Sequence, residues 1–225
     1  MATTSRCCHL AARSTGPRFG GALLCSLLLL VAAPAAGLPS SWDNENDEGL
    51  IRALQEGGLV VYVRHGAAET GDDDVTRLTE DGCAQITAAG AALADAGIDA
   101  EAVLSSPTTR TRQTASRLFP ENEVTEEPTL HMEQFGDPET RDTFIEGLRT
   151  LLATPTDGGN RWLIGHITPL IMVLDTHFGA DELPVGTMVA FLPQGDGRFT
   201  HVGNLRPDWG VSHLGELIDC ENAPQ

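Results

Sequence analysis

The chain contains no lysine. All 14 cationic residues are arginine, set against 32 Asp and Glu, for a formal charge of −18. That imbalance argues against nucleic acids and anionic membranes as partners, because both are held by clustered basic side chains. Abundant acid without lysine matches a surface adapted to high salt; composition drift in a GC-rich genome gives the same pattern. Cysteine is scarce, and Cys7, Cys8 and Cys25 all fall in the first 36 positions. Cys83 and Cys220 remain, with no spacing pattern that would make a disulfide framework. Export would permit them to pair, and the sequence leaves the paired and free states open. A long membrane span is also missing: the apolar run at 21–33 is short for crossing a bilayer.

That run has the features of a leader. Arg6, Arg13 and Arg18 accompany it without any acidic residue, and Ala33-Pro34-Ala35 is a small-x-small cleavage site. The secretory pattern predicts a signal peptide over 1–36 and an exported product, periplasmic or extracellular; the other reading is an uncleaved anchor. No small-residue lipobox precedes Cys25. Acidic residues begin at Asp43, so loss of the leader leaves 11 arginines against 32 acids, a charge of −21. Residues 37–46 read as a polar tether, 47–210 as one domain with a substantial core, and 211–225 as a C-terminal tail. There is no internal repeat or low-complexity tract.

Within 47–210, apolar β-branched runs alternate with helical patterns up to residue 178. The expected class is α/β, a three-layer α/β/α arrangement with a largely parallel central sheet. Strands are expected at 59–64, 102–105, about 123–126 and 161–165. A closing pair follows at 187–192 and 198–204, around the turn Gln194-Gly195-Asp196-Gly197. Thr79 reads as a helix cap, with Glu80 and Asp81 in the first turn. Ser106-Pro107, Asp137-Pro138 and Thr168-Pro169 read as further helix starts. The stretches 67–77 and 128–137 read as loops.

Three strand-to-helix junctions carry groups with chemistry: Arg64-His65-Gly66, Ser105-Ser106-Pro107 leading to Arg110, and Gly165-His166. In a parallel sheet such junctions share one edge, where ligands bind. Two guanidiniums and two imidazoles then meet beside helix N-termini, whose free N–H groups favour anions. Arg64 and Arg110 cannot lose their charge, and their planar forks match phosphate oxygens. Taken singly, each has a plainer reading: a strand-end cation, a satisfied core histidine, a helix-start serine. His131, His166, His177, His201 and His213 show no metal-ligand spacing, so neither metal nor cofactor is suggested.

With these residues in place, the sequence resembles the histidine phosphatase superfamily, also called phosphoglycerate-mutase-like. Arg64-His65-Gly66 is similar to its signature, and Leu78-Thr79-Glu80-Asp81-Gly82 with Gln85 to its Leu-Thr-x-x-Gly-x-x-Gln segment. Ser105-Ser106-Pro107 through Arg110 and Gln113-Thr114-Ala115 resembles its second-arginine motif, and Trp162 to His166 the segment bearing its second histidine. The matches run in order over about 50–205, with the compact spacing of small exported members. The resemblance implies a phosphoglycerate-mutase-like topology and a small phosphorylated substrate. It implies that His65 is the nucleophile and that Arg64, Arg110 and His166 hold the phosphate oxygens. His166 would serve best protonated; with a reference pKa of about 6.5 it needs a phosphate dianion or a carboxylate to favour that form.

The sequence departs from the family pattern in three places. Ala68 stands where many members carry Thr, and Ile167 follows the second histidine where the phytase-like branch has Asp. Glu133, in Leu130-His-Met-Glu-Gln-Phe-Gly136, is similar to the family's general-acid segment but one place out of register. Asp72, Asp73 or Asp74 could take that role instead. The expected activity is hydrolysis of a phosphomonoester or phosphoamidate through a phosphohistidine. A mutase-type phosphotransferase and a catalytically silent phosphate or phosphosugar binder are the other readings.

Overall fold

Val60–Arg64 forms β1, and its apolar residues are buried on both faces, as a strand covered on both sides requires. The structure, a computed structural model, describes residues 48–72, 74–175, 182–206 and 208–209. The leader, the tether, Asp73, His177, His213, Cys220 and the tail lie outside the described residues. Parallel to β1 run β2 (Ala100–Ser105), β3 (Val124–Glu126) and β4 (Asn160–Gly165). Two antiparallel strands, β5 (Met188–Gly195) and β6 (Arg198–Leu205), complete one sheet in the order β3-β2-β4-β1-β5-β6. Their connection turns through Gly195, Asp196 and Gly197, all at positive φ.

Side chains alternate across the strands and divide the core into two layers. Val61, Val63, Val103, Trp162 and Ile164 pack against α1 (Glu48–Glu56), α2 (Glu80–Asp95) and α3 (Thr109–Leu118). Val60, Tyr62, Leu163, Val189 and Phe191 pack against the other side's helices: α4 (Met132–Gly136), α5 (Arg141–Ala153) and α6 (Ile167–Leu174). The expected α/β/α layering with a mostly parallel sheet is what the chain adopts.

Several boundaries differ from the sequence reading. Ser106-Pro107 does not start α3; its N-cap is Thr108, and the Ser106 hydroxyl is bonded elsewhere. Asp137-Pro138 sits one turn ahead of α5. The Asp137 carboxylate binds Glu139 N–H and the Thr140 hydroxyl, closing a local turn rather than capping the helix. The stretch expected as a loop over 128–137 holds a 3₁₀ turn (Pro128–Leu130) and α4, because Leu130 and Phe135 are fully buried there. Thr79 caps α2 as expected, accepting Gly82 N–H at 3.0 Å. Cys83 is disulfide-bonded; it is the one cysteine among the described residues.

Candidate active site

Strands β1, β2 and β4 end side by side. His65 N–H bonds to Gly165 O at 3.1 Å, and Ser106 N–H to Ile164 O at 2.9 Å. This alignment brings the three junctions singled out in the sequence to one edge. Close approach of the first junction to α2 depends on glycine. A Cβ on Gly66 would lie 2.6 Å from Ile86 Cγ1, and one on Gly82 only 2.1 Å from Ala67 O.

Arg64, half-buried at the end of β1, donates from Nη1 to Leu183 O, and burial lowers its pKa. Its backbone is tied to the segment before β5, through Thr187 O and Gly186 N–H. His65 Nδ1 lies 2.8 Å from Gly66 O. A carbonyl only accepts, so Nδ1 carries a proton. The His65 and His166 rings meet edge to face with centroids 5.3 Å apart.

His166 is almost wholly buried, and its ring is held at both nitrogens. Arg110 Nη2 lies 3.2 Å from Nδ1, and Ser106 Oγ lies 3.1 Å from Nε2. Because a guanidinium only donates, Nδ1 accepts and Nε2–H donates to the serine. The imidazole is therefore neutral here. Burial first, then the charges of His65, Arg110 and His131, lower its pKa to about 2. Among the described residues no carboxylate bonds to it. The charged form implied by the family resemblance thus calls on the phosphate dianion, since none of the described residues supplies an acidic partner. Arg110 is itself buried, and Thr114 ties its helix to the first junction: its hydroxyl donates to Arg110 O at 2.7 Å and accepts Gly66 N–H at 3.1 Å.

The carboxylates considered as proton donors separate into different settings. The Asp72 carboxylate accepts Asp74 N–H at 3.0 Å and so closes a local turn. Asp74 binds His131 Nε2 at 3.0 Å through its side chain, while its carbonyl accepts the N–H and hydroxyl of Thr109 at the start of α3. Glu133 is exposed in the first turn of α4. One ligand-capable atom from each of Asp74, His131 and Glu133 lies within 4.8 Å of the others. This group could share a proton or hold a cation, and residue spacing gave no sign of it because Asp74 lies 57 positions before His131.

Two further residues escaped the sequence reading. The Ser106 hydroxyl was ascribed to helix-start chemistry, and Tyr62 to the apolar interior of β1. Tyr62 is the chain's only tyrosine. Its hydroxyl donates to His166 O at 2.8 Å and accepts His166 N–H at 3.0 Å. A phenol in a valine-rich strand, two strand positions from a glycine on the neighbouring strand, was the available signal.

The sequence model described as "Histidine phosphatase superfamily (branch 1)" matches residues 60–154, from β1 through α5. His166 lies beyond the matched stretch. Among solved structures, the chain resembles a candidate alpha-ribazole-5'-P phosphatase from Escherichia coli K-12 at 15% identity and a TM-score of 0.50, covering 64% of this chain and 95% of that one. It also resembles the protein histidine phosphatase SixA complexed with tungstate, at 20% identity and a TM-score of 0.47, over 66% and 97% of the two chains. A candidate phosphohistidine phosphatase SixA from Agrobacterium tumefaciens gives 22% and 0.49, over 67% and 99%. No curated protein sequence matches this chain.

Proposed function

We propose that this protein is an exported phosphatase that hydrolyses a phosphomonoester or phosphoamidate through a phosphohistidine on His65. The observation that carries the reading is the convergence of two histidines and two arginines where β1, β2 and β4 end. The His65 and His166 rings stand 5.3 Å apart, Arg110 Nη2 lies 3.2 Å from His166 Nδ1, and Nδ1–H of His65 is committed to Gly66 O, which assigns the attack to Nε2. In the first step Nε2 attacks phosphorus, the Nε2–P bond forms, and the bond to the leaving group breaks. Arg64, Arg110 and a His166 protonated under the phosphate dianion stabilise the equatorial oxygens. The leaving alkoxide takes a proton from the Asp74–His131–Glu133 group, with Glu133 as the donor, a contribution of roughly 10²–10⁴ in rate. Water then attacks phosphorus, the Nε2–P bond breaks, and the same group takes the water's proton as phosphate is released. No step requires a metal. The arginine-bearing leader without acid supports export.

Incubating purified protein with a ³²P-labelled ester and quenching in alkali is expected to trap an acid-labile label on the wild type. His65→Ala is expected to carry no label and to lose turnover by at least about 10³-fold. Hydrolysis that persists in His65→Ala overturns the reading. Loss of wild-type activity on exhaustive chelation would move the Asp74–His131–Glu133 group from proton donor to metal site.

A further inference from the structure

We infer that Tyr62 is a positioning residue that fixes the backbone of His166 so that its imidazole serves the phosphate; this rests on the phosphatase reading above. A fully buried phenol needs partners for its oxygen. This one has two, both on the same residue. A hydroxyl has one hydrogen and free lone pairs, so donation to His166 O and acceptance from His166 N–H coexist. Burial raises the phenol's pKa well above its ordinary value, which keeps the donor hydrogen in place.

Gly165 makes the arrangement possible. In the parallel register Tyr62 lies opposite Leu163, and its hydroxyl reaches His166, just past the end of β4. A Cβ at position 165 would stand 2.3 Å from the Tyr62 oxygen and 2.8 Å from Cζ. The phenol and the glycine therefore form one unit.

The consequence falls on His166, which occupies the N-cap position of α6 with extended backbone (φ −120°, ψ 159°). Side chains at that position ordinarily bend back to bond first-turn N–H groups. His166 makes no such bond. Its ring turns instead to Arg110 and Ser106, in edge-to-face contact with His65. Main chain and ring are thus held separately: Tyr62 fixes the first, and Arg110 and Ser106 fix the second.

Tyr62→Phe removes one oxygen and keeps the ring. The expected result is a fall in kcat of about 10-fold with KM changed less than about 2-fold, because the clamp acts mainly on the transition state. Combined with His166→Ala, Tyr62→Phe is expected to add nothing to the loss from His166→Ala alone. A purely structural role would instead add its loss in the double variant, and that outcome, or wild-type kcat in Tyr62→Phe, overturns the inference.

A second readout does not depend on turnover or on Tyr62→Phe folding. Because the chain has a single tyrosine, biosynthetic 3-fluorotyrosine labels position 62 alone. Its ¹⁹F resonance is expected to move when inorganic phosphate is added and to stay fixed when phosphate is added to His166→Ala. A resonance that ignores phosphate in a protein that binds it sinks the positioning role. Phosphate binding with the expected ¹⁹F response but no hydrolysis across a broad ester panel sinks the phosphatase reading and leaves the positioning role standing.

Discussion

At the scale of single residues, the candidate site holds an imidazole that the fold by itself keeps neutral. His166 has a pKa lowered to about 2, chiefly by burial, against about 6.5 in an unfolded chain. Between those values the unfolded state binds a proton that the folded state does not. Stability therefore rises with pH through this window and is lost as pH falls below about 6.5. One such proton sets a slope of at most about 1.4 kcal/mol per pH unit. Chemical denaturation of wild type and His166→Gln between pH 7 and 5 is expected to show the wild type losing more stability, and parallel curves would contradict it. Ser106→Ala removes the acceptor of Nε2–H and is expected to lower kcat/KM about 3–10-fold, the worth of one ordinary hydrogen bond. Steady-state kinetics checks this, and an unchanged value would assign the serine to packing alone. Arg64, His65, Arg110 and His166 were legible in the sequence because a charged or ligating group at the end of an apolar run is a local pattern. Ser106 and Tyr62 were not, because their partners lie 60 and 104 positions away.

At the scale of elements, the turn from β1 to α2 brings the loop that follows His65 against a helix. Thr79 joins the two, with its N–H on Ala67 O at 2.9 Å and its hydroxyl on Gly82 N–H. Gly82 has no room for a side chain: a Cβ would meet Ala67 O at 2.1 Å and Ala67 C at 2.8 Å, both backbone atoms. Gly82→Ala is therefore expected to cost roughly 1–3 kcal/mol or more despite alanine's better helix propensity. Thermal melting checks the loss, and a stabilised variant would mean that the loop yields freely. Strands and α2 were legible because burial on two faces and capping chemistry are local signals. The starts of α3 and α5 were misread because a Ser-Pro or Asp-Pro pair serves turns as well as caps. In the first case the serine is drawn to His166, and in the second the aspartate closes its own turn. The short α4 was hidden because Leu130 and Phe135 are too few apolar positions to show a helical period.

At the scale of the whole molecule, the missing lysines and the 32 acids concern the surface more than the fold. The arginines that matter most are drawn inward, Arg110 to the site and Arg64 to the rim of the sheet. Their burial leaves still fewer cations to offset the carboxylates outside. Like charges spread over a surface destabilise the compact state, and the penalty depends on how far each charge is felt. That reach is about 10 Å at 0.1 M salt and about 3 Å at 1 M. Raising NaCl from about 0.1 M to 1 M at pH 7.5 is therefore expected to raise the melting temperature by several degrees. Most of the gain should come in the lower half of that range, where the screening length shrinks fastest. Sucrose stabilises by exclusion rather than by screening, and its effect should not depend on surface charge. Replacing four exposed acids remote from the site (Glu56, Asp99, Glu121 and Glu123) with glutamine or asparagine should raise stability at low salt and flatten the NaCl response while leaving the sucrose response alone. A melting temperature that is indifferent to NaCl, or a charge-reduced variant that keeps the full response, would show that self-repulsion is already balanced within the folded surface.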